Sequence, residues 1–180
     1  MRIEVVRGDL TSTPTEAVVN AANSSLLGGG GVDGALHQAA GPELLRACRL
    51  VRATTHPDGL STGDAVATLA GDLPARFVIH TVGPIVPSHQ PTADDEAALA
   101  SCYRSILDAA SAHGGISTVG FCAISTGVFG YPKDAGARVA IGTIRDWLTD
   151  HPDSSIEPLV SAFAPADEAV YLDAIREVLA

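Results

Sequence analysis

Asn23 and Asp33 flank four consecutive glycines, Gly28 to Gly31, in the stretch NAANSSLLGGGGVDGALHQAAG from Asn20 to Gly41. An asparagine side chain offers both a donor and an acceptor, which suits it to hold sugar hydroxyls. An ionised carboxylate can orient a water and draw on its proton, so that the water attacks an ester or an anomeric carbon. Glycine loses more backbone freedom on folding than any other residue. Four in a row make sense where bare backbone must approach something closely or aim several N–H groups at one anion. The spacing reads as a phosphate-binding loop with a reactive group at its exit, although glycines also permit tight turns with no ligand. Asp33 opens a helical pattern, where the helix dipole favours negative charge, and a carboxylate so stabilised works more by positioning than by proton affinity. His37, one helical turn on, could tune Asp33 or be structural. Ser24 and Ser25 read as turn residues.

The elements that position this stretch alternate between strand and helix. Ile3 to Val6 reads as a strand ended by Gly8-Asp9, and Ala17 to Ala22 as a strand buried on both faces. Gly34 to Ala40 has helical composition and stops at Gly41-Pro42, a C-cap glycine and a proline suited to open the next helix, Glu43 to Arg52. Ala65 to Ala70 and Arg76 to Val82 read as strands, and the proline-rich Pro84 to Pro91 as a loop. Leu99, Cys102, Ile106 and Ala110 recur at helical spacing up to Gly114-Gly115. Thr118 to Ile124 is a further strand, running into Ser125-Thr126-Gly127-Val128-Phe129-Gly130. A helix marked by Ala140, Ile144, Trp147 and Leu148, a strand Ile156 to Phe163 and a closing helix with Tyr171, Ala174, Ile175 and Val178 complete the chain. The pattern predicts one α/β domain over residues 1–180, with helices covering a mostly parallel sheet. In such sheets ligands bind beyond the carboxyl ends of the strands. Two strand–loop–helix units with glycine-containing loops could therefore bracket a diphosphate from both sides.

Composition narrows the class. The 180 residues are 46% apolar but only 4% aromatic, and 11 Lys+Arg stand against 21 Asp+Glu for a net charge of −10. That balance disfavours capture of nucleic-acid backbone and means that an anionic ligand would be held mainly by backbone donors. Lys133 is the only basic residue near the second glycine loop. Cys48, Cys102 and Cys122 are far apart without CxxC spacing and read as buried reduced thiols. The six histidines show no zinc-ligand spacing, so no metal is expected. Met1 leads directly into a strand-like run, and no apolar run is long enough to span a bilayer. The expectation is a soluble cytoplasmic monomer without a cofactor.

Two nucleotide loops fail by their own requirements. Gly29, Gly31 and Gly34 satisfy GxGxxG by letter, but a glycine run does so trivially, and no strand end carries Asp or Glu about twenty residues on. A Walker loop needs GKS or GKT, which is absent.

NAANSSLLGGGGVDGALHQAAGP, preceded by Gly8-Asp9-Leu10-Thr11, resembles the signature of macrodomains of the MacroD type. So do GDAVATLAGDLPARFVIHTVGP (Gly63 to Pro84) and AISTGVFGYP (Ala123 to Pro132), and the resemblance covers essentially the whole chain. It implies a three-layer α/β/α fold with a mixed, mostly parallel sheet that binds ADP-ribose. It also implies hydrolysis of an ester at the distal ribose, as in O-acetyl-ADP-ribose, ADP-ribosylated Asp or Glu of proteins, or modified nucleic-acid ends. By the same resemblance Asp9 accepts from the adenine amino group beside Leu10, with a turn or cap aspartate after Gly8 as the alternative. By that resemblance Phe163, eight residues before Tyr171, stacks on adenine; such a residue taken alone is more often core, but its place at a strand's carboxyl end suits stacking. Ser125, Thr126, Gly127, Val128 and Phe129 face the diphosphate. Gly29, Gly30, Gly31 and Val32 face the distal ribose and diphosphate, with Asn23 and Asp33 as the catalytic pair and a substrate phosphate helping to hold the water. A non-catalytic ADP-ribose reader is the competing function, and a nucleotide-dependent oxidoreductase fails with the missing dinucleotide fingerprint. The loop Pro84 to Pro91 is where selectivity for the leaving group is expected.

Overall fold

The computed structural model describes residues 2–180; the expectation attached to Met1 lies outside the described residues. Six strands, β1 (Glu4–Arg7), β2 (Ala17–Ala21), β3 (Ala65–Leu69), β4 (Phe77–Thr81), β5 (Thr118–Phe121) and β6 (Glu157–Ala162), form one sheet in the order β1-β6-β5-β2-β4-β3. Every pairing is parallel except that between β3 and β4. Five helices cover it: α1 (Gly31–Ala40), α2 (Pro42–Thr54), α3 (Ala93–His113), α4 (Lys133–Asp150) and α5 (Pro165–Val178). Helices α1 and α2 pack on each other, α1 on β2 and α2 on β3, while α4 packs between α3 and α5. The result is the mixed three-layer α/β/α arrangement expected from the sequence.

Small residues permit this close stacking. Ala17, Val18 and Val19 of β2 and Val78 and Ile79 of β4 have at most 1% exposure. They read as continuous apolar runs because both faces of a central parallel strand are covered. Helix α3 starts on a capping box, with Thr92 Oγ1 accepting from Asp95 N–H and the Asp95 carboxylate accepting from Thr92 N–H, and it ends at Gly114 in the left-handed conformation. Gly41, also at positive φ, separates α1 from α2, and Pro42 opens α2. The three cysteines are free and buried. Burial pushes the Cys122 thiol up to about 12.

Most boundaries fall within one or two residues of the sequence reading, and the two larger differences both lie at the loops of interest. Helix α1 begins at Gly31 rather than Gly34, because helical hydrogen bonding starts with Gly34 N–H donating to Gly30 C=O. Strand β5 stops at Phe121 rather than Ile124. It shares only the pairs Ala17↔Val119 and Val18↔Gly120 with β2, so the chain beyond is released from the ladder to build a loop. No helix among the described residues is long and apolar enough to cross a membrane.

The strand order gathers the loops at one place. β1, β6, β5, β2 and β4 are consecutive parallel neighbours, so the segments leaving their carboxyl ends emerge side by side along one edge of the sheet. Helix α1, which carries Asp33, is fastened to this sheet by Leu36 and Ala40, both without solvent exposure. Leu36→Ala is expected to lower unfolding free energy by about 2–5 kcal/mol in urea denaturation; a loss well under 1 kcal/mol would mean that α1 is not anchored there.

Candidate functional site

Beyond β2 the chain makes a tight loop held by Asn23. Asn23 Oδ1 accepts from the backbone N–H and the hydroxyl of Ser25, and Nδ2 donates to Gly28 C=O at 3.0 Å. Ser25 is thus a turn residue, as its sequence context suggests. Leu26 sits at φ +60 with its side chain 1% exposed, so core packing holds it in a conformation that L residues seldom adopt. Arg52 at the end of α2 braces the loop from below, donating to the carbonyls of Ser25, His56 and Pro57 at 2.8–2.9 Å. Its role is invisible in the sequence, where an arginine at a helix C-terminus reads as an ordinary dipole partner.

The glycine run then turns into α1. Gly28 and Gly31 adopt positive φ (97 and 59), and Gly30 caps the helix in extended conformation without a side-chain hydrogen bond. The N–H groups of Gly29, Gly30, Gly31, Val32 and Asp33 have no acceptor among the described residues. They form a run of orphan donors at a helix N-terminus, the arrangement that suits an anion.

Asp33, in the first turn, is 3% exposed. Its Oδ1 accepts from Asn20 Nδ2 at 2.7 Å and lies 3.5 Å from His37 Nε2. Its Oδ2 has no hydrogen-bond partner among the described residues. A methyl group on Gly29 would stand 3.0 Å from Asp33 Oδ2 and 3.1 Å from Asn23 Nδ2, so carboxylate and amide converge over the same glycine. Asn23 and Asp33, paired by their place in the sequence, are thus brought together in space. Sequence reasoning alone misses Asn20, a wholly buried amide in β2. The available signal is a polar residue inside a strand otherwise composed of Ala and Val.

The second loop leaves β5 beside the first. Ser125 sits at φ +64, 6% exposed, with a hydroxyl that has no partner among the described residues. The loop is closed by Gly130 N–H to Gly127 C=O (3.0 Å) and Tyr131 N–H to Ser125 C=O (2.9 Å). This leaves the N–H groups of Thr126, Gly127, Val128 and Phe129 without protein acceptors among the described residues. The Pro84 to Pro91 loop is fixed to it, with Val86 N–H donating to Phe129 C=O at 2.6 Å and His89 Nδ1 to Gly130 C=O at 2.8 Å. Lys133 does not stand free over this loop; it is paired with Asp167 at 2.5 Å. The unpartnered donors of both loops among the described residues are mostly backbone N–H groups.

The other two expected contacts fall at the carboxyl ends of β1 and β6. Asp9 is exposed, and its Oδ1 caps a 3-10 turn at Leu10–Ser12 by accepting from Thr11 N–H (2.9 Å) and Oγ1 (2.8 Å), while Oδ2 has no donor among the described residues. It therefore caps a turn and still presents one free acceptor oxygen. The Leu10 side chain is buried, so only its backbone could meet a ligand. Phe163 is 81% exposed and Val128 98% exposed, which removes the core alternative for Phe163. Along the sheet edge the order is Asp9, Phe163, the second loop, then Asn23, the glycine run and Asp33. Among the described residues no group of three or more His, Cys, Asp or Glu side chains converges as a cation site.

Comparison with known proteins adds an independent line. Residues 19–140 match the model of the Macro domain family. The O-acetyl-ADP-ribose deacetylase of Cronobacter sakazakii is 48% identical over 171 residues, covering 95% of this chain and 90% of that protein. The ADP-ribose glycohydrolase MACROD1 of Mus musculus is 46% identical over 170 residues, covering 94% of this chain but only 50% of the mouse protein. Among solved structures, the Oceanobacillus iheyensis macrodomain with ADP superposes with a TM-score of 0.90 at 42% identity, covering 98% of this chain and 91% of that one.

The approach of the glycine run to α1 can be tested directly. A methyl on Gly34 would lie 2.6 Å from the Gly29 carbonyl oxygen, whereas one on Gly127 meets nothing within 4 Å. Gly34→Ala is expected to cost about 1–3 kcal/mol despite alanine's better helix propensity, and Gly127→Ala less than about 0.5 kcal/mol, in thermal or urea unfolding. Equal effects would show that the loop does not depend on that contact.

Proposed function

Because this chain belongs to the Macro domain family, we propose that it is a hydrolase that binds ADP-ribose and removes it from ester-linked conjugates, with ADP-ribosylated Asp or Glu side chains and O-acetyl-ADP-ribose as substrates. One observation carries the hydrolytic part of this reading. Asp33 has one oxygen tied down by Asn20, while its other oxygen and the Asn23 amide converge at Gly29, beside five orphan N–H groups.

The residues divide the ligand between them. Asp9 supplies a free carboxylate oxygen for the adenine amino group, next to the Leu10 backbone, and Phe163 supplies an exposed ring for the base to stack on. The N–H groups from Thr126 to Phe129, with the Ser125 hydroxyl, meet the diphosphate from one side. Those of Gly29, Gly30, Gly31 and Val32 meet it from the other. Donation by backbone reconciles a dianionic ligand with a protein of net charge −10, since uncharged donors need no counter-charge. The distal ribose then lies over Gly29, with Asn23 beside its hydroxyls.

In the reaction Asp33 Oδ2 accepts a hydrogen bond from a water and orients it for attack. A substrate phosphate shares the water's second hydrogen. The carboxylate contributes mainly by holding the nucleophile in line, and it is well placed to do so because its other oxygen is fixed. Attack at the acyl carbon leaves the ester oxygen on the ribose, and attack at the anomeric carbon leaves it on the acid.

Asp33→Ala is expected to retain ADP-ribose binding within about tenfold by calorimetry and to lose at least about 100-fold in release of ADP-ribose from a peptide mono-ADP-ribosylated on Glu. Full hydrolysis by this variant would remove Asp33 from the mechanism, and an inactive wild type that still binds would make the protein a reader. Running the wild-type reaction in oxygen-18 water identifies the bond broken by whether the label enters the acid or the ADP-ribose.

A further inference from the structure

The polar contacts of Asp33 do not end at Asn20. Asn20, fully buried on β2, lies across the ladder from His80 on β4, which is also fully buried. Asn20 Nδ2 is 2.7 Å from Asp33 Oδ1 and 3.1 Å from His80 Nδ1. An amide nitrogen carries two hydrogens, so it donates one to each. His80 Nε2 in turn lies 2.9 Å from Thr68 Oγ1 on β3 and 3.7 Å from Cys48 Sγ on α2. With Nδ1 accepting, the proton sits on Nε2 and points at the Thr68 hydroxyl. A continuous row thus runs from the edge strand through the middle of the sheet to the carboxylate: Thr68, His80, Asn20, Asp33.

The row works only with a neutral ring. Burial, with a smaller contribution from His37, pushes His80 down to about 3, so Nδ1 keeps its lone pair at any ordinary pH. The titratable groups packed around Asp33 are His37 on its own helix, Cys48 from α2 and His80 beyond Asn20. Burial, reinforced by the Asp33 charge, pushes the Cys48 thiol up to about 11, so it too stays neutral.

Asp33 decides which way Asn20 faces, because an ionised carboxylate can only accept. Exchanging the amide's oxygen and nitrogen would aim a carbonyl oxygen at the carboxylate, so Nδ2 faces Asp33 and its second hydrogen is left for His80 Nδ1, which accepts it in the Nε2–H tautomer. In the observed orientation Asn20 Oδ1 is buried without a partner among the described residues, an arrangement that is unfavourable in itself. The fold accepts that defect to keep both donors where they are. We propose that His80 is a positioning residue for hydrolysis. Through Asn20 it holds Asp33 Oδ1 in place and so keeps Oδ2 aimed at the glycine loop. This inference rests on the hydrolytic reading of Asp33.

The test compares His80→Leu, His80→Asn and Thr68→Val with the wild type, using ADP-ribose calorimetry and turnover of the Glu-modified peptide. His80→Leu removes the acceptor but fills most of the space, and kcat is expected to fall about 10–100-fold while the Kd for ADP-ribose stays within about threefold. His80→Asn leaves a larger void but puts an amide oxygen near the former Nδ1, and it is expected to recover part of kcat. A purely packing role predicts the opposite order. The inference is overturned if His80→Leu keeps wild-type kcat or if His80→Asn falls below it. Should neither His80 variant fold, Thr68→Val, which removes only the hydroxyl bonded to the ring, is expected to lower kcat by about two- to fivefold at unchanged Kd, and an unchanged kcat overturns the inference. Ring nitrogen-15 spectra of the wild type should show an Nε2–H ring that does not titrate between about pH 5 and 9, and an Nδ1–H or titrating ring would also overturn it. A wild type that binds ADP-ribose without releasing it from the ester defeats the hydrolytic reading, and the role of His80 with it. An active wild type indifferent to His80 defeats this inference alone.

Discussion

A carboxylate with 3% exposure cannot sit in a protein unanswered, since an unpaired buried charge is among the costliest groups a fold can hold. For Asp33 the answer comes from the middle of the sheet. The hydrogen bond from Asn20 ties the first turn of α1 to β2, and it can form only if β2 lies where α1 crosses it. That places the strand at the sheet's centre, requires β4 alongside to supply His80, and fixes how the glycine run must bend to bring Asp33 inward. The bond is therefore a geometric constraint on the whole carboxyl edge as well as a local contact.

The acidity of the protein sets the second constraint. A site for a diphosphate is most simply built from lysine and arginine, yet the basic residues nearest these loops are otherwise committed, Lys133 to Asp167 and Arg52 to three backbone carbonyls. What remains is the peptide group. Two loops with unsatisfied N–H groups, one leading into a helix dipole, attract an anion without adding net charge. Acidic composition and backbone recognition are thus two aspects of one solution.

Much of this is legible in the residues. Continuous Ala/Val runs mark the central strands, because burial on both faces suppresses alternation. The glycine run and its flanking Asn23 and Asp33 mark the first loop, and Ser125 to Gly130 the second. Boundaries are less legible where the loops begin. Nothing local shows that β5 leaves the ladder after Phe121, since Cys122, Ala123 and Ile124 continue an apolar strand pattern; the departure is set by pairing with β2. Nor can the sequence show that α1 starts at Gly31, because glycine has no preference for that turn and only the bond to the Gly30 carbonyl settles it. Asn20 and His80 are hidden differently. Asn20 is the one polar residue of β2 and His80 sits beside Thr81 in β4, and their meaning depends on being cross-strand partners, a relation between positions 60 residues apart.

The strand order has a further consequence. Groups suited to gripping one end of an elongated ligand leave β1, β6 and β5, whereas the groups suited to breaking a bond belong to β2, β4 and α1. In the proposed reading the adenine end of the clamp and the hydrolytic groups leave different strands, the glycine run serving both, and the one strand pairing between the two sets among the described residues is β5 with β2, over two residue pairs. Such a layout lets the two properties drift independently under mutation. A lineage could lose chemistry at β2 and keep a working clamp, or retune the clamp without disturbing the chemistry. The two-pair seam between β5 and β2 is, in that sense, a line of evolutionary separability drawn through a single fold.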